Sequence, residues 1–231
     1  MIIPDKNLFI VTSALKPLMS PFSDGERFQQ TVDGLSSIKK ILPDAIIVTV
    51  DVSIRPLSQL EQMSISERSS YFIDMSQEKT VLQLSNVGQK SMAENVMMFN
   101  TLQTLRTHPN TSKMMNSIKR IFKFSGRSVL KESFNISEYD NLFGKFVFKK
   151  RIPTWMNPPR VSDLLITRLF SFCPSLTDTY LQVIQENLPL IQRGLDTEHA
   201  HFVNIPNQYL VEFDEVHCFG WLSGNGKIEH Y

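Results

Sequence analysis

Two short apolar runs set the strongest limit on what this chain can fold into. Leu8-Phe9-Ile10-Val11-Thr12-Ser13 and Ala45-Ile46-Ile47-Val48-Thr49-Val50 are continuous rather than alternating. Runs of that length and composition read as strands covered on both faces, which is the signature of a parallel sheet. Between them Phe28, Val32, Leu35, Ile38, Ile41 and Leu42 recur at helical spacing, so a helix is expected over about 26–42, stopped by Pro43-Asp44. Strand, helix and strand in that order form a right-handed βαβ unit. Sheets of this kind bind ligands beyond the C-terminal ends of their strands. There the first run offers Thr12 and Ser13, and the second offers Asp51. An acidic residue after the second strand holds a ribose hydroxyl in many nucleotide-binding α/β folds. A loop carboxylate or cap near Ser53 is the competing reading of Asp51.

A third run, Ile121 to Leu130, alternates apolar and cationic residues, then meets a Ser-Gly turn and an arginine. It reads as a central strand that carries Lys123 and Arg127 to its C-terminal end. A glycine at Gly126 allows close backbone approach, and a guanidinium at Arg127 matches a phosphate with two parallel donors. A tight turn with a solvated arginine is the plainer alternative. No Gly-x-Gly-x-x-Gly follows the first strand, so the dinucleotide fingerprint is absent. A turn-rich stretch over 84–91 opens a helix with Met92, Val96, Phe99, Leu102 and Leu105 on one face. Ser85, Asn86, Lys90 and Glu94 crowd its start, where unpaired N–H groups attract anions.

The other elements are less sharply drawn. A polar helix is expected over 57–70, a short strand at 71–74, a short helix over 113–119 and a strand over 144–151 ending in Lys149-Lys150-Arg151. Trp155 sits in an irregular loop as a platform for a sugar or base. A strand over 161–172, a helix over 176–192 and a last strand over 211–219 complete the pattern, before a glycine-rich tail that reads as a lid or a loose terminus. Asp196-Thr197-Glu198-His199-Ala200-His201 gathers groups able to move protons. Two histidines two residues apart do not share a helix face, which argues against a metal pair there.

Composition narrows the function classes. The 231 residues suit one domain, with no repeat or linker to divide them. With 42% hydrophobic and 20% charged residues the chain reads as globular. A net charge of +1 makes any anion site local and speaks against nucleic acid. Cys173 and Cys218 lie far apart in apolar settings and read as buried free thiols of a reducing compartment. With no secretory leader and no run of 18 apolar residues, the expected location is the cytoplasm, without a membrane span.

Three segments together resemble GT-A-type glycosyltransferases, and more narrowly the small glycosyltransferase-like proteins of viruses and bacterial polysaccharide loci. They are Phe9 to Ser13 with Glu26 to Thr31, Phe122-Lys123-Phe124-Ser125-Gly126-Arg127, and Glu198-His199 with the strand and glycine-rich tail beyond. The second is similar to a Lys-x-Ser-Gly-Arg-Tyr pattern, with Ser128 in place of the aromatic.

The resemblance implies an α/β fold, GT-A-like (Rossmann-like), with a mostly parallel central sheet flanked by helices. It implies a nucleotide-binding half over about 1–130 and an acceptor half over about 131–231. The activity implied is transfer of a sugar from a nucleotide-sugar donor to a glycan or other hydroxyl acceptor, in polysaccharide or glycoprotein glycan synthesis. Donor-binding residues would be Thr12, Ser13, Asp51, Lys90, Lys123, Ser125, Gly126 and Arg127. Asp51 would take the nucleoside and Arg127 the diphosphate, with Arg168 a further cation. Glu198 would be the general base and His199 the alternative base of an inverting reaction.

The family's Asp-x-Asp, which holds a divalent cation against the diphosphate, occurs nowhere in the chain, and Lys123 to Arg127 stand where it belongs. Its nearest approximation, Glu212-Phe213-Asp214, falls in the expected last strand. The implication is a transferase with no required cofactor, in which fixed cations do the metal's work; manganese or magnesium is the alternative. A non-catalytic carbohydrate- or nucleotide-binding module derived from a transferase is the competing function. A phosphotransferase or nucleotidyltransferase ranks lower, because neither a phosphate-cradling glycine loop nor clustered metal carboxylates are present.

Overall fold

The computed structural model describes residues 4–156, 160–221 and 226–231. β1 (Lys6–Ser13), α1 (Asp24–Ile41) and β2 (Ile46–Asp51) form the expected opening unit, and β1 and β2 pair in parallel. Ser23 caps α1 and Glu26 reaches back to the Ser23 N–H, a reciprocal box that fixes where the helix begins. α2 (Gln59–Arg68), β3 (Tyr71–Asp74), α3 (Lys79–Asn86), α4 (Lys90–Thr107) and α5 (Pro109–Met115) follow. The chain then enters β4 (Ile118–Ser125) and β5 (Ser128–Leu130). β6 (Phe146–Lys149), β7 (Ile152–Pro153), β8 (Asp163–Leu164) and β9 (Leu169–Phe172) lead to α6 (Thr177–Gln192) and α7 (Thr197–Asn204). β10 (Leu210–Phe213), β11 (Cys218–Trp221) and β12 (Ile228–His230) close the chain.

The main sheet has seven strands in the order β10-β6-β9-β4-β1-β2-β3. Six run in one direction, and β9 is antiparallel to both β4 and β6. Alternation along the strands fills two cores. Leu8, Ile10, Val48 and Ile121 pack beneath α4 and α6, whereas Phe9, Val11, Ile47, Phe122 and Phe124 pack beneath α1 and α2. Phe9 stacks on Phe122 at 4.7 Å, and Phe148 on Phe170 at 4.5 Å, so aromatic pairs cross adjacent strands on either face. The same alternation turns Lys123 toward α4. Gly34 lets α1 lie directly on β5: a Cβ there would come within 2.5 Å of the Ser128 carbonyl oxygen.

Several expected boundaries move. The strand expected over 161–172 is two, β8 and β9, in different sheets. The last strand over 211–219 also divides: β10 joins the main sheet, whereas β11 pairs with β5 and β12 in a three-stranded sheet. Asp214 lies in the break, and Glu212 is bound to Arg151 at 2.6 Å. Part of the turn-rich stretch before α4 is itself a helix, α3. The short helix placed at 113–119 is α5, opened by Pro109 at its first turn. The glycine-rich tail contributes β12, while 222–225 lie outside the described residues. Among the described residues no helix is long and apolar enough to cross a membrane.

Candidate active site

The C-terminal ends of β1 and β4, the first turns of α4 and α7, and the segments carrying Trp155 and Arg168 surround one cleft of about 450 Å³. That is the size of a small-molecule site, and it lies where parallel sheets bind ligands.

One side is cationic. Arg127 follows directly on the β4 turn, and its Nη1 donates to the Trp221 carbonyl at 2.8 Å while the Trp221 N–H returns to the Arg127 carbonyl. β11 thereby holds the arginine at the cleft. Arg27, on α1, forks Nε and Nη2 onto the Ala14 carbonyl at 3.2 and 2.8 Å. Arg168 sits across Ser125, donating to Ser125 Oγ at 3.5 Å. Lys90, exposed at the start of α4, bonds the Met19 carbonyl at 3.2 Å. These groups crowd one another. Burial, then Arg168 and Arg27, push the Arg127 guanidinium down to about 9. Burial and then Arg127 and Arg27 lower Lys90. Burial, partly opposed by Asp51, takes Arg27 to about 10 with Arg168 adding to the fall. Gathering like charges in a half-buried cleft is unfavourable unless an anion joins them.

Carboxylates occupy the other side. Glu94 Oε1 meets Lys123 Nζ at 2.5 Å, and the same ammonium donates to the Thr167 carbonyl at 2.9 Å. Burial works to raise Glu94, but Lys123 and then Arg168 and His201 outweigh it, so this carboxyl is held ionised. Glu198, at the start of α7, accepts a bond from Thr167 Oγ1 at 2.7 Å. Burial, then Glu94 and Asp196, raise its pKa. The two neighbouring carboxyls are thus pushed in opposite directions.

The expected donor-site residues divide. Thr12, Ser13, Lys90, Lys123, Ser125 and Arg127 line the cleft, as does Glu198. Asp51 does not. It is fully buried, Oδ1 accepts the Leu15 N–H and Oδ2 the Ser53 N–H, each at 2.9 Å, so its oxygens tie down the loop after β1. Gly126 is also withdrawn. A Cβ there would meet the Thr12 carbonyl oxygen at 3.0 Å and Thr31 Oγ1 at 3.2 Å, so the glycine serves packing of β1 and α1, not approach to a ligand. His199 is fully buried with both ring nitrogens engaged, Nδ1 with Asp196 Oδ1 at 2.6 Å and Nε2 with Thr154 Oγ1 at 2.7 Å. It is not among the side chains that line the cleft. Arg27 is a cleft residue that was not anticipated, and Asp196, noted only within the run over 196–201, is another. Arg27 falls on one helical stripe with Thr31, Gly34 and Ile38, all buried, and an arginine on that stripe was the available signal.

A divalent cation of the kind the resemblance implies does not fit the end of β4. The side chains there are Ser125 and Arg127, with Arg27, Lys90 and Arg168 close by, a donor set that repels a cation. Glu94 is matched to Lys123, and Asp196 caps α7 and holds His199. Among the described residues no three histidine, cysteine or carboxylate side chains are grouped to hold a metal.

No protein-family model matches the sequence, and a search of curated proteins finds no match. Comparison with solved structures is informative about the fold. Core-mannan synthase A from Aspergillus fumigatus, in a form with manganese and GDP, aligns over 90% of this chain and 73% of its own, with 6% identity and a TM-score of 0.51. Mouse xyloside xylosyltransferase 1 aligns over 91% and 85%, with 11% identity and a TM-score of 0.48. A glycosyltransferase that takes part in glycosylating the major capsid of PBCV-1 aligns over 90% and 81%, with 7% identity and a TM-score of 0.47. The chain has a mixed α/β, GT-A-like fold, which it shares with core-mannan synthase A.

Proposed function

We propose that this chain is a glycosyltransferase that moves a sugar from a nucleotide-sugar to a hydroxyl of a glycan acceptor, and that fixed cations hold the leaving nucleoside diphosphate. The carrying observation is the crowding of Arg127, Arg168, Arg27 and Lys90 at the strand end where this fold takes its ligand. That core-mannan synthase A was crystallised with GDP supports a nucleoside diphosphate as the class of anion. The division of labour follows the chain: Thr12 to Arg127 supply most of the donor side, and Trp155 to Glu198 the acceptor side, within one domain.

In the reaction Glu198 takes the proton of the acceptor hydroxyl as its oxygen bonds the anomeric carbon. The bond from that carbon to the β-phosphate oxygen breaks, and the electron pair leaves with the diphosphate. Charge grows on the phosphate as the bond breaks, so cations already in place stabilise the transition state more than the ground state. A raised Glu198 pKa strengthens it as a base near neutrality. Attack opposite the leaving group gives inversion. The test is release of nucleoside diphosphate from a panel of nucleotide-sugars, with and without added glycans. Release with one nucleotide series that Glu198→Gln abolishes is expected; no release with any member contradicts the proposal.

A further inference from the structure

Trp155 is an anomaly on the acceptor side. It is 59% exposed and lines the cleft. The indole meets the His199 ring edge-on, with centroids 5.2 Å apart and planes at 83°. His199 is in turn clamped. If its Nδ1–H donates to Asp196, Nε2 accepts the Thr154 hydroxyl proton, and Thr154 Oγ1 accepts the Met156 N–H at 3.1 Å. Thr154 Oγ1, on one side of Trp155, thus holds the Met156 N–H on the other side and the imidazole that packs against the indole. An exposed aromatic ring on a backbone segment tied down in this way is placed for a partner, because less backbone entropy is left to lose on contact.

The surroundings define the partner's chemistry. Asp196 and Glu198 line the wall on this side, so an acidic acceptor would be repelled. A pyranose ring has an apolar face of C–H groups and an edge of hydroxyls. The first matches an indole face, and the second matches carboxylate acceptors. We propose that Trp155, with Asp196 beside it, forms an acceptor subsite that takes the ring of an uncharged pyranoside. His199 acts in it as a positioning residue for the indole. This rests on the transferase reading, since it presents the acceptor hydroxyl to Glu198.

The test is saturation-transfer difference NMR on the whole chain, using methyl gluco-, galacto-, manno- and xylopyranosides, their disaccharides, and methyl glucuronoside as the acidic member. Nucleoside-diphosphate thermal shifts are read on the same samples. For wild type, ring-proton signals from at least one neutral pyranoside are expected, with none from the glucuronoside. Trp155→Ala should weaken that saccharide about tenfold or more, and Trp155→Phe less, while the nucleotide shift is unchanged. Neutral pyranosides that bind equally well in Trp155→Ala, or fail to bind a chain that does bind nucleotide, overturn the subsite. Trp155-dependent saccharide binding with no response to any nucleotide upholds the subsite and overturns the transferase reading instead.

Discussion

Asp51 and Glu198 are both carboxylates whose pKa burial raises, and they stand in opposite relations to the cleft. Both oxygens of Asp51 are bound to backbone N–H groups, and no part of the residue reaches solvent. Among the described residues Glu198 takes its side-chain hydrogen bond from Thr167, and it lines the cavity. The same contrast separates His199, engaged at both nitrogens, from Arg127, which has one backbone bond and three cationic neighbours. Chemistry-bearing residue types at the right strand end are therefore of two kinds. Some complete the scaffold, and others keep hydrogen-bonding capacity or charge that a ligand can meet.

Glu198→Gln breaks this contrast most severely. Loss of a general base is expected to lower kcat by roughly 10²- to 10⁴-fold, measured as nucleoside diphosphate release in the presence of acceptor. Stability should be unchanged or slightly higher. A raised folded pKa means that ionisation of Glu198 opposes folding: stability is lost as pH rises from the unfolded value through the folded one, and the amide removes that loss. In the wild type, the acidic limb of the rate profile should lie above the ordinary glutamate range, with activity lost as pH falls through it.

Arg127→Ala acts on the opposite wall. Removing a charge-assisted contact to phosphate should weaken nucleoside diphosphate binding about 10- to 100-fold by calorimetry, with little change in saccharide binding. Asp51→Asn sharpens the contrast from the scaffold side. An amide presents its NH₂ to one of two N–H donors, so stability should fall by about 2 kcal/mol, read from urea unfolding. Any loss of nucleotide affinity should follow from that instability and recover on cooling. Lys90→Ala should have the smallest effect, a loss of roughly twofold to fivefold in nucleotide affinity that fades at high salt, because the residue lies at the exposed rim of the cleft.

How much of this could be read from sequence depends on which interactions decide each feature. β1, α1, β2, β4 and α4 were legible because their apolar periodicities are long and uninterrupted. The splits between β8 and β9, and between β10 and β11, were not, because short apolar stretches carry no mark of which sheet they join. Lys123, Arg127 and Glu198, placed at a strand end and a helix start, do line the cleft. Asp51 and His199 satisfied the same criteria. Their withdrawal depends on the Leu15 N–H, which the fold brings back to β2, and on Thr154, which lies 45 residues from His199. Such partners have no local signature. Glu94 was noted only as part of a helix entry, yet it shares a stripe with Met98, Thr101 and Leu105, buried positions where an unpaired carboxylate would be costly. That placement pointed to an internal cation, which Lys123 provides.

The central claim is that arginine and lysine side chains, rather than a divalent cation, anchor the diphosphate at the end of β4. Calorimetric titration of the common nucleoside diphosphates into the wild-type chain tests it most directly, once in EDTA and once in manganese. Binding of one nucleotide in EDTA, with a Kd that manganese changes by no more than about twofold, is the predicted result. Binding that requires manganese would contradict the claim.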